Sequence, residues 1–226
     1  MFTIYRAMKK IIIIILSLPK IFYINFKCLP LNQAVKLPIY VHFNTRLMIR
    51  GDIKIIDTHL SRFTIILGKD GSNHISPHES RLFIYDGGQL ILGRNILLSS
   101  GFNLCIEQGG TVKLGDNVSF NRNSSIFCKK QINIGKNSLF GWNCSLRDNN
   151  GHRIYYQGNC IKSEGVIVIG ENCWITADSI ILKNSVLPFS TVVATGSLVN
   201  KEFNQSNILI AGRPARIIRD DIKWER

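Results

Sequence analysis

Six aliphatic residues, Ile169, Ile175, Ile181, Leu187, Val193 and Val199, recur at a strict interval of six. With 45% apolar residues in the chain, a chosen register of this kind fills by chance in about one per cent of cases. A second track runs beside it. Four positions after each of the first five come Cys173, Ser179, Ser185, Thr191 and Ser197, all small. A six-residue unit makes one short strand and one turn, and three units close a triangular coil of about eighteen residues. The aliphatic side chain of each unit then points inward, and the small residue sits near the crowded corner. No unit can bury its apolar face alone, so the core arises only by stacking. The pattern predicts an all-β chain wound as a parallel β-helix. A β-sandwich also has strands and turns at short spacing but needs no six-residue phase.

Earlier segments repeat the theme as aliphatic-Gly-x-Asn, at Leu92–Asn95, Leu114–Asn117, Ile134–Asn137 and Ile169–Asn172, with Leu67–Asp70 as a degenerate first copy. Gly and Asn both tolerate positive φ, so both are expected at sharp corners. The intervals of 22, 20 and 35 residues fit one coil, one coil, and a coil plus an insertion of about fifteen residues. The domain reading is therefore an N-terminal apolar and basic segment over 1–30, a β-helix over 31–216 carrying an inserted loop at 147–165, and a cap over 217–226. The first coils, before residue 66, are irregular. The cap is expected to be a short helix, because an open β-helix end exposes unpaired backbone.

The chain carries a formal charge of +13, which favours anionic partners. Nucleic acid is not among those expected. There is no zinc-finger spacing, no basic helix with heptads and no aromatic RNA-binding signature. The six cysteines include no C-x-x-C pair, so no metal is expected and the thiols read as free groups in a reducing cytoplasm. Near the N-terminus, Lys9 and Lys10 precede the apolar run Ile11–Leu18, and Lys20 precedes Ile21–Phe26. The clean run falls short of the roughly 20 residues that span a bilayer, and Pro19 and Pro30 are expected to cut it. No small-residue cleavage site follows it. Two readings of residues 1–27 stand side by side. One is a helix packed on the body or in an oligomer interface. The other is an interfacial helix with Arg6, Lys9, Lys10, Lys20 and Lys27 near anionic headgroups, which puts the protein in the cytoplasm at the inner face of the membrane.

The insertion after Leu146 is the clear break in the regular C-terminal half, and loops on rigid scaffolds carry function. It holds His152 within Asp148–Tyr155. That stretch resembles the D-x-x-x-H-x-I-Y loop of capsule and lipopolysaccharide O-acetyltransferases, including the sialic-acid capsule type. Ile210–Ile218 resembles the AGxPAKxI ending of hexapeptide-repeat acetyltransferases, and Val168–Ile175 their IGxxVWIG block. Leu29–Pro38 also looks like a prefix of this group. The resemblance is strong over about 134–218, moderate over 90–133 and weaker before.

The resemblance implies a left-handed β-helix, a homotrimer with active sites between subunits, acetyl-CoA as donor and a glycan hydroxyl as acceptor. It makes His152 the general base, a role suited to histidine because its ordinary pKa lies near working pH. Asp148 and Asn150 are candidates to orient it. Some relatives carry an acid where this chain has Asn150, which leaves that partner open. Trp174 matches a tryptophan near the acceptor or thioester pocket; its plain alternative is a hydrophobic filler. Ala177 and Thr195 match backbone contacts to pantetheine, Asn200 and Lys201 a pair near the adenine, and Arg216 and Arg219 basic residues near the phosphates. Arg213 is an additional candidate. The chain departs from the family at Thr176, where Gly is usual, and at Ala194-Thr195-Gly196, where Gly-Ala-Gly is usual. Both departures bear on the acyl pocket. Cys160 has no activating pair nearby in sequence and is not expected to be a nucleophile. The competing functions are a catalytically silent scaffold and an N-acetyltransferase or serine acetyltransferase.

Overall fold

The computed structural model describes residues 2–57, 60–69 and 78–226, without the side chains of residues 2–7, 9 and 10. Asp70 of the degenerate repeat and the side chains of Arg6, Lys9 and Lys10 thus lie outside the described residues. The chain winds through three sheets, here A, B and C, of nine, seven and six strands. Successive strands enter A, B and C in turn. Leu139–Phe140, Ser145–Arg147 and Val166–Ile169 make one coil, and Trp174–Ile175, Ile180–Leu182 and Val186–Leu187 the next. Coil-to-coil pairing is parallel and in register: Phe140 faces Ile175, Leu146 faces Ile181 and Ile169 faces Leu187. The architecture is the left-handed parallel β-helix.

Both six-residue tracks are interior. The aliphatic track from Ile169 to Val199 is at most 1% exposed, and the small track from Cys173 to Ser197 is fully buried. The second track is small and polar for a specific reason. Ser185 Oγ donates to the carbonyls of Leu182 and Val199, Ser197 Oγ to Ala194, and Thr191 Oγ1 to Pro188. Leu182 O and Ala194 O also accept the backbone N–H groups of Ser185 and Ser197, so these hydroxyls fill the remaining acceptor capacity of the turn carbonyls.

The aliphatic-Gly-x-Asn signature divides its labour differently from the sequence expectation. Asn95, Asn117, Asn137 and Asn172 take the left-handed conformation, with φ of 55–61°. Asn95 Nδ2 donates to Asn117 Oδ1 at 2.9 Å, and Asn117 Nδ2 to Asn137 Oδ1 at 2.8 Å, so three coils share an amide ladder. Gly93, Gly115, Gly135 and Gly170 are not at positive φ, whereas Gly68 of the degenerate first copy is, at φ +80°. A Cβ on Gly135 would lie 2.5 Å from the Gly170 carbonyl carbon, and one on Gly115 would lie 2.7 Å from the Lys136 nitrogen. Glycine is needed there so that stacked corners can approach.

Burial pushes the Cys144 thiol up to about 12 and the Cys173 thiol up to about 11. Burial, then the neighbouring Asp148 carboxylate, also raises Cys128. A folded state that keeps protons the unfolded chain releases near the ordinary cysteine value loses stability as pH rises. Denaturant midpoints are therefore expected to fall from about pH 9 upward. Replacing Cys144 and Cys173 with serine, the residue other coils use, should flatten that arm. An equally steep arm in the double variant would refute the assignment.

The N-terminal segment is one continuous helix, α1 (Phe2–Cys28), followed by the single turn α2 (Leu31–Ala34). Pro19 does not cut it, contrary to the sequence expectation. Proline withholds one N–H, while Ser17, Ile21, Ile24 and Asn25, all fully buried, hold the helix against the first coil on both sides of that point. The 18-residue stretch Ile11–Cys28 is long and apolar enough to cross a membrane by length and composition. Its inner face closes the open end of the coil. Asn25 Oδ1 accepts from Ile39 N and Asn25 Nδ2 donates to Ile39 O. Ser17 Oγ accepts from Phe43 N, Lys20 Nζ donates to the carbonyls of Phe43 and Thr45, and Lys27 Nζ donates to that of Ile49.

The other end corrects a second expectation. No helix forms over 217–226. Ala215–Arg219 is a strand antiparallel to Leu209–Gly212 and finishes sheet A. Pairing the last sheet edge satisfies backbone groups that a detached helix would leave open. Beyond it the tail runs back along the coil. Trp224 Nε1 donates to Asn172 O at 2.7 Å, and Arg226 donates to Asn117 O and Ser119 Oγ.

Candidate active site

The insertion leaves sheet B after Arg147 and rejoins sheet C at Val166. Its root is a buried carboxylate. Asp148 is fully buried and accepts from Lys129 N at 2.8 Å, Lys130 N at 2.7 Å and Gln131 N at 2.8 Å, as well as from the Cys128 thiol. Its lone pairs are committed to the coil below and to Asn149 Nδ2. Asp148 therefore holds the loop's departure point and does not orient His152. Asn149, not singled out in the sequence, shapes the next step. Its Oδ1 accepts from Gly151 N at 3.0 Å, and Gly151 sits at φ +75°. Asn150 uses its backbone N–H on Ser163 O at 2.9 Å, while its side chain stays exposed. Lys129 pairs with Glu164 at 3.1 Å, and Lys183 Nζ donates to Lys162 O. The base of the insertion is thus tied to the coils on both sides of it.

His152 is exposed just above this base and makes no hydrogen bond to a described residue. Beyond it the insertion forms a β-hairpin, Ile154–Tyr156 against Asn159–Ile161, turning through Gln157 and Gly158 at positive φ. Ile154, Tyr155, Tyr156 and Ile161 are all exposed on this arm. At its foot lies a depression of about 250 Å³ lined by Glu107, Phe127, Arg147, Asn149, Asn150 and Gly151. The Arg147 guanidinium lies 5.4 Å from the Phe127 ring centre.

A larger cavity, about 710 Å³, opens at the C-terminal mouth of the coil. The adjacent Asn200 and Lys201 and the more distant Arg216 line it together with Phe203 and Pro214. Arg219 lies farther along the terminal strand and does not line it. The pairing of Arg147 with Leu182 and of Ile181 with Val199 places Asn200 two coils above the root of the His152 loop, on the same edge of the prism. At the spacing of neighbouring strands, that is about 10 Å.

Ala177 and Thr195 occupy a different edge, the corner between sheets A and B. They stack directly, with Gly196 N donating to Ala177 O at 3.0 Å. The two departures from the family pattern meet here. Thr195 Oγ1 donates to Thr176 Oγ1 at 3.1 Å, and Thr176 Oγ1 donates to Val193 O at 2.7 Å. Arg213 Nε donates to Gly196 O at the same corner, so this arginine braces the turn. Trp174 is 37% exposed on the adjoining strand, its ring 5.8 Å from that of Trp224. Both readings of Trp174 keep some force: it is accessible, yet it seats the tail. One chain therefore presents the predicted residues on two separate edges.

No protein-family model matches the sequence. WbbJ of Escherichia coli (strain K12), named for lipopolysaccharide biosynthesis O-acetyl transfer, is 24% identical over 148 residues, covering 61% of this chain and 74% of WbbJ. The crystal structure of the polySia-specific acetyltransferase NeuO matches with a TM-score of 0.55 and 19% identity, over 84% of this chain and 89% of NeuO, a likeness of fold. A protein of 24.8 kDa in the cps region of Klebsiella pneumoniae, itself uncharacterized, is 30% identical over 161 residues, 71% of each chain. This chain belongs to the hexapeptide-repeat acetyltransferase family. Within that family it is of the polysaccharide O-acetyltransferase type.

Proposed function

We propose that the chain transfers the acetyl group of acetyl-CoA to a hydroxyl of a surface polysaccharide, capsule or O-antigen, or of its precursor, on the cytoplasmic side. The observation that carries this reading is the placement of His152. It stands exposed on a rigidly rooted arm, on the same edge that ends in the cavity of Lys201 and Arg216. A long anionic donor lying along the coil would set its phosphates by those cations and its thioester toward the histidine.

In the proposed step, the imidazole nitrogen takes the acceptor hydroxyl's proton as that oxygen bonds to the thioester carbonyl carbon. The tetrahedral species collapses, the C–S bond breaks, and the leaving sulfur takes the proton back from the imidazolium. No acyl-enzyme forms in this step, and among the described residues no hydroxyl or thiol is bonded to His152. The separation of Ala177 and Thr195 from His152 supports a homotrimer in which one chain's corner faces a neighbour's arm. The exposed tyrosines of the hairpin give that arm a surface to dock.

Loss of the cations tests the donor site. Lys201→Ala and Arg216→Ala are each expected to raise KM for acetyl-CoA about tenfold with little change in kcat, since each removes one charge-assisted contact. The measurement is free-thiol release with a panel of surface glycans as acceptors. Unchanged KM in both variants would move the phosphates elsewhere, and absence of acceptor-dependent thiol release would sink the reading.

A further inference from the structure

We propose that the outward face of α1 docks on an anionic lipid bilayer, lying in the interface and not crossing it. The helix has two faces of opposite duty. Ser17, Ile21, Ile24 and Asn25 are buried on the first coil. On the far side Ile11, Ile15, Leu18, Phe22, Tyr23 and Phe26 are 36–57% exposed. At 3.6 residues per turn these six fall on one stripe, and no charged residue interrupts it. A surface helix of a protein that meets only water carries polar residues there.

Charge selects the occupant. Phe2–Cys28 contains five basic residues and no acidic one, in a chain of net charge +13. Lys20 and Lys27, seven apart, lie on the same side of the helix beside the apolar stripe and keep their charge there while donating to coil carbonyls, and Arg6, Lys9 and Lys10 precede the stripe in sequence. Apolar stripe and basic flank together suit acyl chains below anionic headgroups. Face-to-face pairing with a second copy would bring ten positive charges together and no negative one from either helix.

The inner face rules on geometry. Asn25, Lys20 and Lys27 hold the carbonyls of Ile39, Phe43, Thr45 and Ile49. A crossing helix would carry those polar side chains into hydrocarbon and orphan the coil's first carbonyls. Lying flat keeps every one of these bonds.

The test is flotation of the full-length protein with vesicles of phosphatidylcholine alone or with about a third phosphatidylglycerol. The expected result is co-flotation with the anionic vesicles only, reduced about tenfold in Ile15→Asp/Phe22→Asp, with circular dichroism and Tm unchanged because both sites face outward. Sedimentation of the free protein completes the test. Absence of flotation, equal flotation of the variant, or a smaller assembly in the variant than in the native protein would overturn the proposal, the last by assigning the stripe to a second copy. Alkaline carbonate should extract the bound protein; resistance would mean a spanning helix and also overturn it.

Discussion

His152→Ala is expected to lower acetyl transfer by about two to four orders of magnitude, the usual worth of a placed general base, and to leave Tm within experimental error. The second half of that expectation follows from exposure. His152 donates to and accepts from no described residue, so its removal breaks nothing that holds the coil or the arm. The loss should appear in kcat and kcat/KM together, because the proton is transferred only in the transition state. KM for acetyl-CoA should stay the same, because the proposed donor site at Lys201 and Arg216 lies about two coils away. Unchanged turnover in this variant would remove the histidine from the chemistry.

The largest structural effect is expected two residues beyond Leu146. Asp148→Ala leaves the N–H groups of Lys129, Lys130 and Gln131 without an acceptor. Part-buried donors stripped of an anionic acceptor cost about 3 kcal/mol together, an amount that lowers Tm by roughly 6–12 °C in a chain of this length. Asp148→Asn should recover only part of that, since its amide keeps one acceptor and presents donors to donors. Equilibrium denaturation gives the energy, and hydrogen exchange at residues 129–131 should lose its protection first. Unaltered stability of Asp148→Ala would mean that the loop is rooted elsewhere. The two variants separate chemistry from support: one should lose rate with its fold intact, the other should lose fold first and rate as a consequence.

What the sequence disclosed and what it hid divide by the range of the interactions. The six-residue tracks are local periodicities, and every member from Ile169 to Val199 lies where the period places it. The misreadings concern partners a coil away. Gly135 looks like a corner residue, but the atom that requires glycine is in Gly170, 35 positions on. Asp148 looks like a companion of a histidine four residues later, yet its donors precede it by 17–20 positions. Pro19 reads as a breaker by local rule, and contacts with the first coil override it. The terminal strand was hidden in the same way, since its worth is the edge it pairs. Asn200, Lys201 and Arg216, singled out by resemblance, line one cavity. Their distance from Ala177 and Thr195 was not, because an edge of a prism has no signature in a single strand.

The closures at the two ends of the coil carry a further meaning. A β-solenoid is a stack with a natural growth direction, and its bare ends could template another chain of the same kind. Here α1 occupies the backbone groups of one end, and the terminal hairpin occupies the edge of sheet A at the other. Both are stoppers that fix the stack's height and keep an amyloid-like pairing geometry from propagating into fibres.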